Sequence, residues 1–140
     1  MKNSISISIL LVFLTLFISC KKDPIKPALR FPDGKGILSP GQSGLFYIQG
    51  ESNPVLLKFI KVTEDSRCPA NAHCIWSGEV VAEIHLNKKA SFSVASAEAS
   101  KPPLIFEGKH ITITQVLPPQ GKSNEQIKQE DYQIEFSISR

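Results

Sequence analysis

The residues best suited to chemistry or binding are concentrated in one stretch, Glu64–Gly78. It holds two of the three cysteines, Cys68 and Cys74, together with His73 and the only tryptophan, Trp76. Thiolates and imidazoles are preferred zinc ligands, and they also serve as nucleophile and base in hydrolytic enzymes. This stretch is therefore the first place to consider a metal site, a catalytic site or a binding surface.

The spacing of these residues disfavours a metal site and catalysis. Structural zinc sites use cysteine pairs separated by about two to four residues, whereas five residues separate Cys68 from Cys74. Adjacent His73 and Cys74 would point to opposite faces of a strand, and oxidised cysteines offer no thiolate. Ser66 follows Asp65, but no G-x-S-x-G nucleophile elbow is present. We expect no metal, no cofactor and no enzymatic activity.

The first twenty residues have the features of a bacterial lipoprotein signal peptide. Lys2 supplies a positive start, and Ile5–Ile18 is apolar except for two serines and one threonine. As a helix this run would be about 21 Å long, shorter than the roughly 30 Å hydrocarbon core of a membrane. It ends in Ser19-Cys20, which resembles the lipobox of bacterial lipoproteins, where the cysteine is acylated and becomes the mature N-terminus. The alternative is an ordinary signal peptide that ends at a cysteine by chance.

These features predict three regions in the chain. Residues 1–19 are expected to be the signal peptide, residues 20–44 a lipid anchor with a flexible tether rich in proline and glycine, and residues 45–140 a single β domain. Acyl chains on Cys20, including palmitate, would make the membrane a partner and hold the protein in the cell envelope, at the outer membrane. The basic residues are scattered at a net charge of +3, so no nucleic-acid partner is expected.

Export also predicts the chemical state of the two remaining cysteines. Outside the cytosol an even number of cysteines is normally oxidised, and Cys20 is used by the lipid. We therefore expect a disulfide between Cys68 and Cys74. In the chain-entropy model, closing so short a loop stabilises the fold by about 2.4 kcal/mol.

Short apolar runs on both sides of the cysteines indicate strands. Val80–Leu86 and Tyr132–Ile138 alternate between apolar and polar residues. Val55–Val62 has apolar residues at both parities, which indicates a strand covered on both faces or one that contains a bulge. Six or seven short strands and no amphipathic helix predict an all-β fold, an antiparallel sandwich that is immunoglobulin-like or small-barrel-like. The residues expected in its core are Phe59, Trp76, Ile84, Ile113, Tyr132 and Phe136.

The central motif resembles one found in a group of bacterial proteins. Asp65-Ser66-Arg67-Cys68-Pro69, followed by Cys74 and Trp76-x-Gly78, resembles a pattern in small secreted or lipid-anchored proteins of unknown function. These proteins also carry stretches similar to Val116-Leu117-Pro118 and Tyr132-Gln133-Ile134. The resemblance covers about residues 55–138. It implies an exported β domain and assigns no activity.

A non-catalytic binding or interaction module is the expected function, with an unknown protein or small molecule as its partner. In this interpretation the cross-linked loop is the binding surface, Arg67 and His73 contact the ligand, and Trp76 braces the loop from below. Two alternatives stay open, a structural envelope lipoprotein without a discrete ligand and a loop that inhibits a protease. It is also open whether Arg67 pairs with Asp65 or Glu64, so that the motif only closes one end of the sandwich.

Overall fold

The computed structural model shows a chain folded into β-strands. It describes residues 27–76, 78–89, 91–96, 102–119 and 127–140. A short 3-10 helix (Gln129–Asp131) precedes the last strand. Nine strands lie in the described ranges: β1 (Leu29–Phe31), β2 (Lys35–Leu38), β3 (Ser43–Phe46), β4 (Val55–Asp65), β5 (Val80–Leu86), β6 (Ser91–Ala95), β7 (Leu104–Phe106), β8 (Lys109–Leu117) and β9 (Gln133–Ser139).

The strands form two sheets that pack face to face. The first has the order β1-β3-β4-β5-β6 and the second the order β2-β9-β8-β7. Neighbouring strands are antiparallel, except for the parallel pair β1 and β3. Phe59 of the first sheet meets Phe136 of the second edge to face, with ring centroids 5.7 Å apart. The predicted antiparallel sandwich is confirmed, with nine strands in the described residues rather than six or seven, and two sheets rather than a barrel.

The period-two alternation of apolar side chains decides which face of each strand is buried. In β5 and β9 every second residue is buried, as the sequence predicts. In β4 the bulge interpretation is correct, because the pairing with β5 shifts register between Phe59 and Lys61 and again between Val62 and Glu64. In a regular strand, Phe59 and Val62 would point to opposite faces because they are three positions apart. The first register shift lets both side chains face the same core. The predicted core residues that are buried are Phe59, Ile84, Ile113, Tyr132 and Phe136.

The predicted tether at residues 20–44 is wrong from Leu29 onward. Strands β1 and β2 and the start of β3 lie in this range, and β2 pairs with the last strand of the chain. The ring of Phe31 occupies the space that side chains at Gly36 and Gly44 would need, so these glycines permit close packing. The β domain therefore includes residues from Leu29 rather than from Leu45.

The N-terminal predictions concern a part of the chain that the structure does not describe. Residues 1–26, with the proposed signal peptide and Cys20, lie outside the described residues. Lipid attachment and a position in the envelope therefore stay predictions. Among the residues that are described, no helix is long and apolar enough to cross a bilayer.

Candidate functional site

The cysteine-containing stretch forms a loop, residues 66–79, that connects β4 to β5 at one end of the sandwich. Two hydrogen bonds close its base, because the backbone N–H of Ser66 donates to the carbonyl of Glu79 at 2.8 Å and the N–H of Glu79 donates to Ser66 Oγ at 3.0 Å. Cys68 and Cys74 form the predicted disulfide, with Cα atoms 5.8 Å apart. Between them, the N–H of Ala72 donates to the carbonyl of Pro69 at 3.0 Å. The loop is held both at its base and across its middle.

Gly78 completes the return of the loop to the sheet. Its φ is +71°, in the left-handed region that favours glycine. A Cβ at this position would overlap the backbone carbonyl of Ser66 on the opposite side of the loop base. The glycine of the Trp76-x-Gly78 motif is therefore required by backbone conformation and by space.

Beside the loop base, Asp65, Arg67 and Tyr132 form a hydrogen-bonded group that we call the Asp65 cluster. Asp65 Oδ1 accepts from Arg67 Nε at 2.9 Å, and Asp65 Oδ2 accepts from Arg67 Nη2 at 2.7 Å and from Tyr132 Oη at 2.8 Å. Arg67 Nη1 donates to the carbonyls of Pro118 at 3.0 Å and Val116 at 3.4 Å. The cluster thus ties the end of β4 to the end of β8 and to the residue that precedes β9.

The geometry of the cluster contradicts the prediction that Arg67 contacts a ligand. Only 17% of the Arg67 side chain and 11% of the Asp65 side chain are exposed. The guanidinium points inward, and its donors are used by Asp65 and by two backbone carbonyls. Pairing with Asp65, the alternative interpretation, is confirmed. Arg67 therefore closes this end of the sandwich.

The electrostatics of the cluster hold each group in its usual protonation state. Burial alone would raise the pKa of Asp65, but hydrogen bonds from Arg67 and Tyr132 outweigh it, so the pKa lies below its ordinary value. The hydrogen bond to Asp65, opposed by burial, raises the pKa of Arg67. Burial, followed by the hydrogen bond to Asp65, raises the pKa of Tyr132 to about 12. At neutral pH none of the three is suited to exchange protons with a substrate, which fits a structural role.

Gln129 makes a second link at the same end of the molecule, which sequence reasoning missed. Its Oε1 accepts from the N–H of Val62 at 3.0 Å, and its Nε2 donates to the carbonyl of Val62 at 2.9 Å. Val62 adjoins a register shift of β4, so the glutamine replaces ladder hydrogen bonds that the bulge disturbs. No local signal could have identified this pair, since the two partners are 67 positions apart in the sequence.

The arm of the loop that follows Cys74, which we call its tip, presents apolar side chains to solvent. Ile75 is 95% exposed and Trp76 is 71% exposed, while neighbouring His73 is also exposed. The prediction that Trp76 braces the loop from within the core is wrong. That prediction assumed that the alternation of buried and exposed residues in β5 continues backward to Trp76. However, β5 begins at Val80, and the left-handed backbone at Gly78 interrupts the alternation before it reaches the loop. Ile75 was not among the predicted site residues, although an isoleucine beside a tryptophan in a cross-linked loop was a visible signal.

The histidines and cysteines that the structure describes do not converge on one site. Cys68 and Cys74 are joined to each other, and His85 lies on the outer face of the first sheet, where its Nε2 is 2.7 Å from Ser91 Oγ. His110 lies in β8, opposite Ser139 of β9. Across the described part of the chain, no group of three or more His, Cys, Asp or Glu side chains is arranged to hold a metal ion.

The stretches that carry the resemblance to small exported bacterial proteins meet at this end of the sandwich. Asp65 and Arg67 belong to the cysteine motif, Val116 and Pro118 supply carbonyls to Arg67, and Tyr132 supplies its hydroxyl to Asp65. The motif pieces therefore have a shared structural role, whatever the family. Comparisons of the chain with protein-family models, curated proteins and solved structures found no match.

Proposed function

We propose that this protein is an exported, lipid-anchored envelope protein that acts as a non-catalytic binding module through the tip of its 66–79 loop. The observation that carries the proposal is the exposure of Ile75 and Trp76, at 95% and 71%, beside the disulfide. Large apolar side chains on a constrained loop are unfavourable in water and are typical of contact residues that become buried in a complex.

The base of the loop supports this function by holding the tip in place. The disulfide, the Ser66–Glu79 hydrogen bonds and the Asp65 cluster all restrict the backbone beneath the tip. A loop that is ordered before it binds loses less conformational entropy in the complex. A short hairpin turn would join β4 to β5 with fewer residues, so a purely connecting role does not account for the exposed pair.

We infer that the partner is a protein with an apolar cleft rather than a lipid surface. Loops that insert into anionic membranes usually carry basic residues beside their apolar tip. Between residues 66 and 79 the only Lys or Arg is Arg67, whose guanidinium is engaged by Asp65. Glu64, just before the loop, is exposed and would be repelled by an anionic surface. His73 adds a polar rim group next to the apolar pair, as protein interfaces commonly have.

The first test uses the fluorescence of Trp76, which is the only tryptophan in the chain. In the free protein its emission should be close to that of tryptophan in water, because most of its side chain is exposed. Addition of an envelope protein fraction should shift the emission to the blue, whereas vesicles of zwitterionic or anionic lipid should not. If vesicles alone shift the emission to the blue, the loop binds the membrane, and the proposal of a protein partner is wrong.

The second test compares loop variants in co-purification from an envelope extract. Ile75→Ser and Trp76→Ser should each reduce capture of the partner at least tenfold while the melting temperature stays unchanged. Ile105→Ser is the matched control, because Ile105 is 62% exposed on β7, outside the loop. If the loop variants and the control capture the same proteins in the same amounts, the loop is a structural element and the binding proposal fails.

A further inference from the structure

A row of polar side chains crosses the outer face of the first sheet, at the end remote from the loop. Ser43 of β3 lies opposite Lys58 of β4, Lys58 opposite His85 of β5, and His85 opposite Ser91 of β6. Directly paired residues share a face of the sheet, and adjacent strands are about 4.8 Å apart. The row therefore places a lysine, a histidine and two hydroxyl groups side by side on the surface.

A depression of about 340 Å³ lies on this row. Its lining is formed by Ser43, Leu56, Lys58, His85 and Lys88. The polar groups of the lining can donate hydrogen bonds, while Leu56 adds an apolar patch. The depression is large enough for a small ligand that has one anionic group and a short carbon skeleton.

In the part of the chain that the structure describes, the two lysines of the depression have no carboxylate partner, whereas their neighbours do. Lys61 pairs with Glu83 at 3.7 Å, and Lys89 pairs with Glu107 at 2.9 Å. Within the described residues no ion pair involves Lys58 or Lys88. Positive charge is therefore neutralised on either side of the depression and left available within it.

The backbone holds Lys88 at a fixed place beside the row. Asn87 and Lys88 have φ values of +47° and +58°, in the left-handed region that is uncommon for residues other than glycine. The turn is attached to β4, because Asn87 Oδ1 accepts from the N–H of Leu56 at 3.0 Å and the N–H of Asn87 donates to the Leu56 carbonyl at 2.8 Å. Asn87 and Lys88 are the two central residues of the hairpin turn between β5 and β6, which requires positive φ at both positions and is closed by the N–H of Lys89 donating to the Leu86 carbonyl at 2.9 Å.

From these observations we propose that the depression formed by Ser43, Lys58, His85 and Lys88 binds a phosphate group, carried by a soluble ester or by a phospholipid headgroup. The ammonium groups of Lys58 and Lys88 supply charge, and Ser43 supplies a hydroxyl donor. His85 is oriented by Ser91, with 2.7 Å between Nε2 and Oγ. Lys58 and Asp65 at the loop base are seven positions apart in β4, about 23 Å at the rise of a strand, so this site is separate from the 66–79 loop.

The test is a titration of the purified full-length protein with inorganic phosphate, followed by amide chemical shifts at constant ionic strength. The expected shifts are confined to the turn of Asn87 and Lys88 and to the row from Ser43 to Ser91. The double variant Lys58→Gln/Lys88→Gln should weaken phosphate binding at least tenfold. The matched control is Lys61→Gln/Lys89→Gln, which removes the same charge from paired lysines nearby and should change the affinity less than twofold.

Lys88→Gly separates a binding role from a structural one. Glycine relieves the left-handed strain and removes the ammonium group, so the melting temperature should rise while phosphate affinity falls severalfold. Sedimentation of protein that carries Cys20→Ser, and therefore lacks the proposed acyl anchor, with phosphatidylglycerol vesicles identifies the source of the phosphate, because a headgroup site gives vesicle binding that Lys58→Gln/Lys88→Gln abolishes. Phosphate binding without vesicle binding indicates a soluble ester. The proposal is overturned if neither probe binds, if shifts are spread over scattered lysines, or if the control pair weakens binding as much as the test pair.

Discussion

Arg67 shows how one side chain can hold two sheets together. It forms a two-point contact with Asp65 of β4 and also donates to the carbonyls of Val116 and Pro118 in the other sheet region. Planar guanidinium donors fit a carboxylate and two carbonyls at once, which an ammonium group cannot do. The residue with the most obvious capacity for ligand binding is thus used inside the protein.

Removal of the guanidinium should destabilise the fold strongly. Arg67→Gln leaves the carboxylate of Asp65 with Tyr132 as its main side-chain partner and leaves two carbonyls without their donor, so we expect the free energy of unfolding to fall by about 2–4 kcal/mol. Urea unfolding followed by circular dichroism measures the change. Arg30→Gln is the control, because Arg30 is exposed on β1 and its loss should cost less than about 0.5 kcal/mol. Equal losses for the two variants would show that the cluster does not stabilise the sandwich.

Tyr132 should make stability depend on pH in the alkaline range. Its pKa is raised from 10.0 to about 12, so the folded protein keeps a proton that the unfolded chain releases. The resulting stabilisation is fully present below pH 10 and is lost as the pH rises from 10 to about 12. We expect wild type to be more stable than Tyr132→Phe at pH 8, and this difference should disappear by pH 12.

Unfolding in urea at several pH values measures this effect. Tyr47→Phe removes the only other tyrosine and should follow the pH dependence of wild type. If wild type and Tyr132→Phe differ in the free energy of unfolding by the same amount from pH 8 to pH 12, the raised pKa of Tyr132 is contradicted.

At the scale of elements, the 66–79 loop has a rigid base and an exposed apolar tip. Its base is closed by Ser66 and Glu79, by the disulfide and by Gly78, while Ile75 and Trp76 point to solvent. The sheet provides the rigid support, since β4 and β5 are paired from Leu57 and Leu86 up to Asp65 and Val80. Precise placement of a loop tip on a rigid scaffold is the usual arrangement of binding loops.

Gly78 should be the position of the loop base that least tolerates a side chain. Gly78→Ala introduces a Cβ at φ +71° that overlaps the carbonyl of Ser66, so we expect a loss of about 3 kcal/mol in the free energy of unfolding. Gly41→Ala is the matched control, because Gly41 has φ +81° and, apart from its two chain neighbours, no described atom lies within 4 Å of the place that its Cβ would take. The control should lose only about 1 kcal/mol, from the left-handed backbone alone. Similar losses at the two positions would mean that the loop base can open without cost.

At the scale of the whole molecule, one sandwich separates two candidate binding surfaces. The apolar loop tip lies beyond the Asp65 end of β4, whereas the phosphate site lies near the Val55 end of the same strand. The core between the sheets, with Phe59 against Phe136, joins these surfaces into one body. The two proposed surfaces therefore leave room for two different ligands at once.

The proposed anchor is tested by the mass of the intact protein. Protein extracted from the membrane should begin at Cys20 and carry the added mass of acyl groups, because the Ser19-Cys20 sequence follows a short apolar run. Cys20→Ser should abolish the added mass and release the protein from the membrane fraction. A mature wild-type chain recovered without acyl groups would refute the lipid anchor.

The sequence by itself determined those features that depend on neighbours along the chain. Alternation predicted β5 and β9, the mixed parity of β4 indicated its bulge, and an even pair of cysteines predicted the disulfide. These predictions succeeded because the period of a strand and the chemistry of a thiol are local properties.

Only the tertiary structure decided the features that depend on contacts between distant residues. Tyr132 reaches Asp65, and Gln129 reaches Val62, across 67 residues in each case. The segment expected to be a tether joins both sheets, because β1 pairs with nearby β3 in the first sheet and β2 pairs with β9, at the far end of the chain, in the second. Trp76 is exposed because the backbone turns at Gly78, so the alternation of inward and outward side chains in β5 does not extend to Trp76. Pairing partners and the inward or outward direction of side chains are set by the folded whole, and therefore the sequence predicted the disulfide of the 66–79 loop but not which of its side chains are exposed.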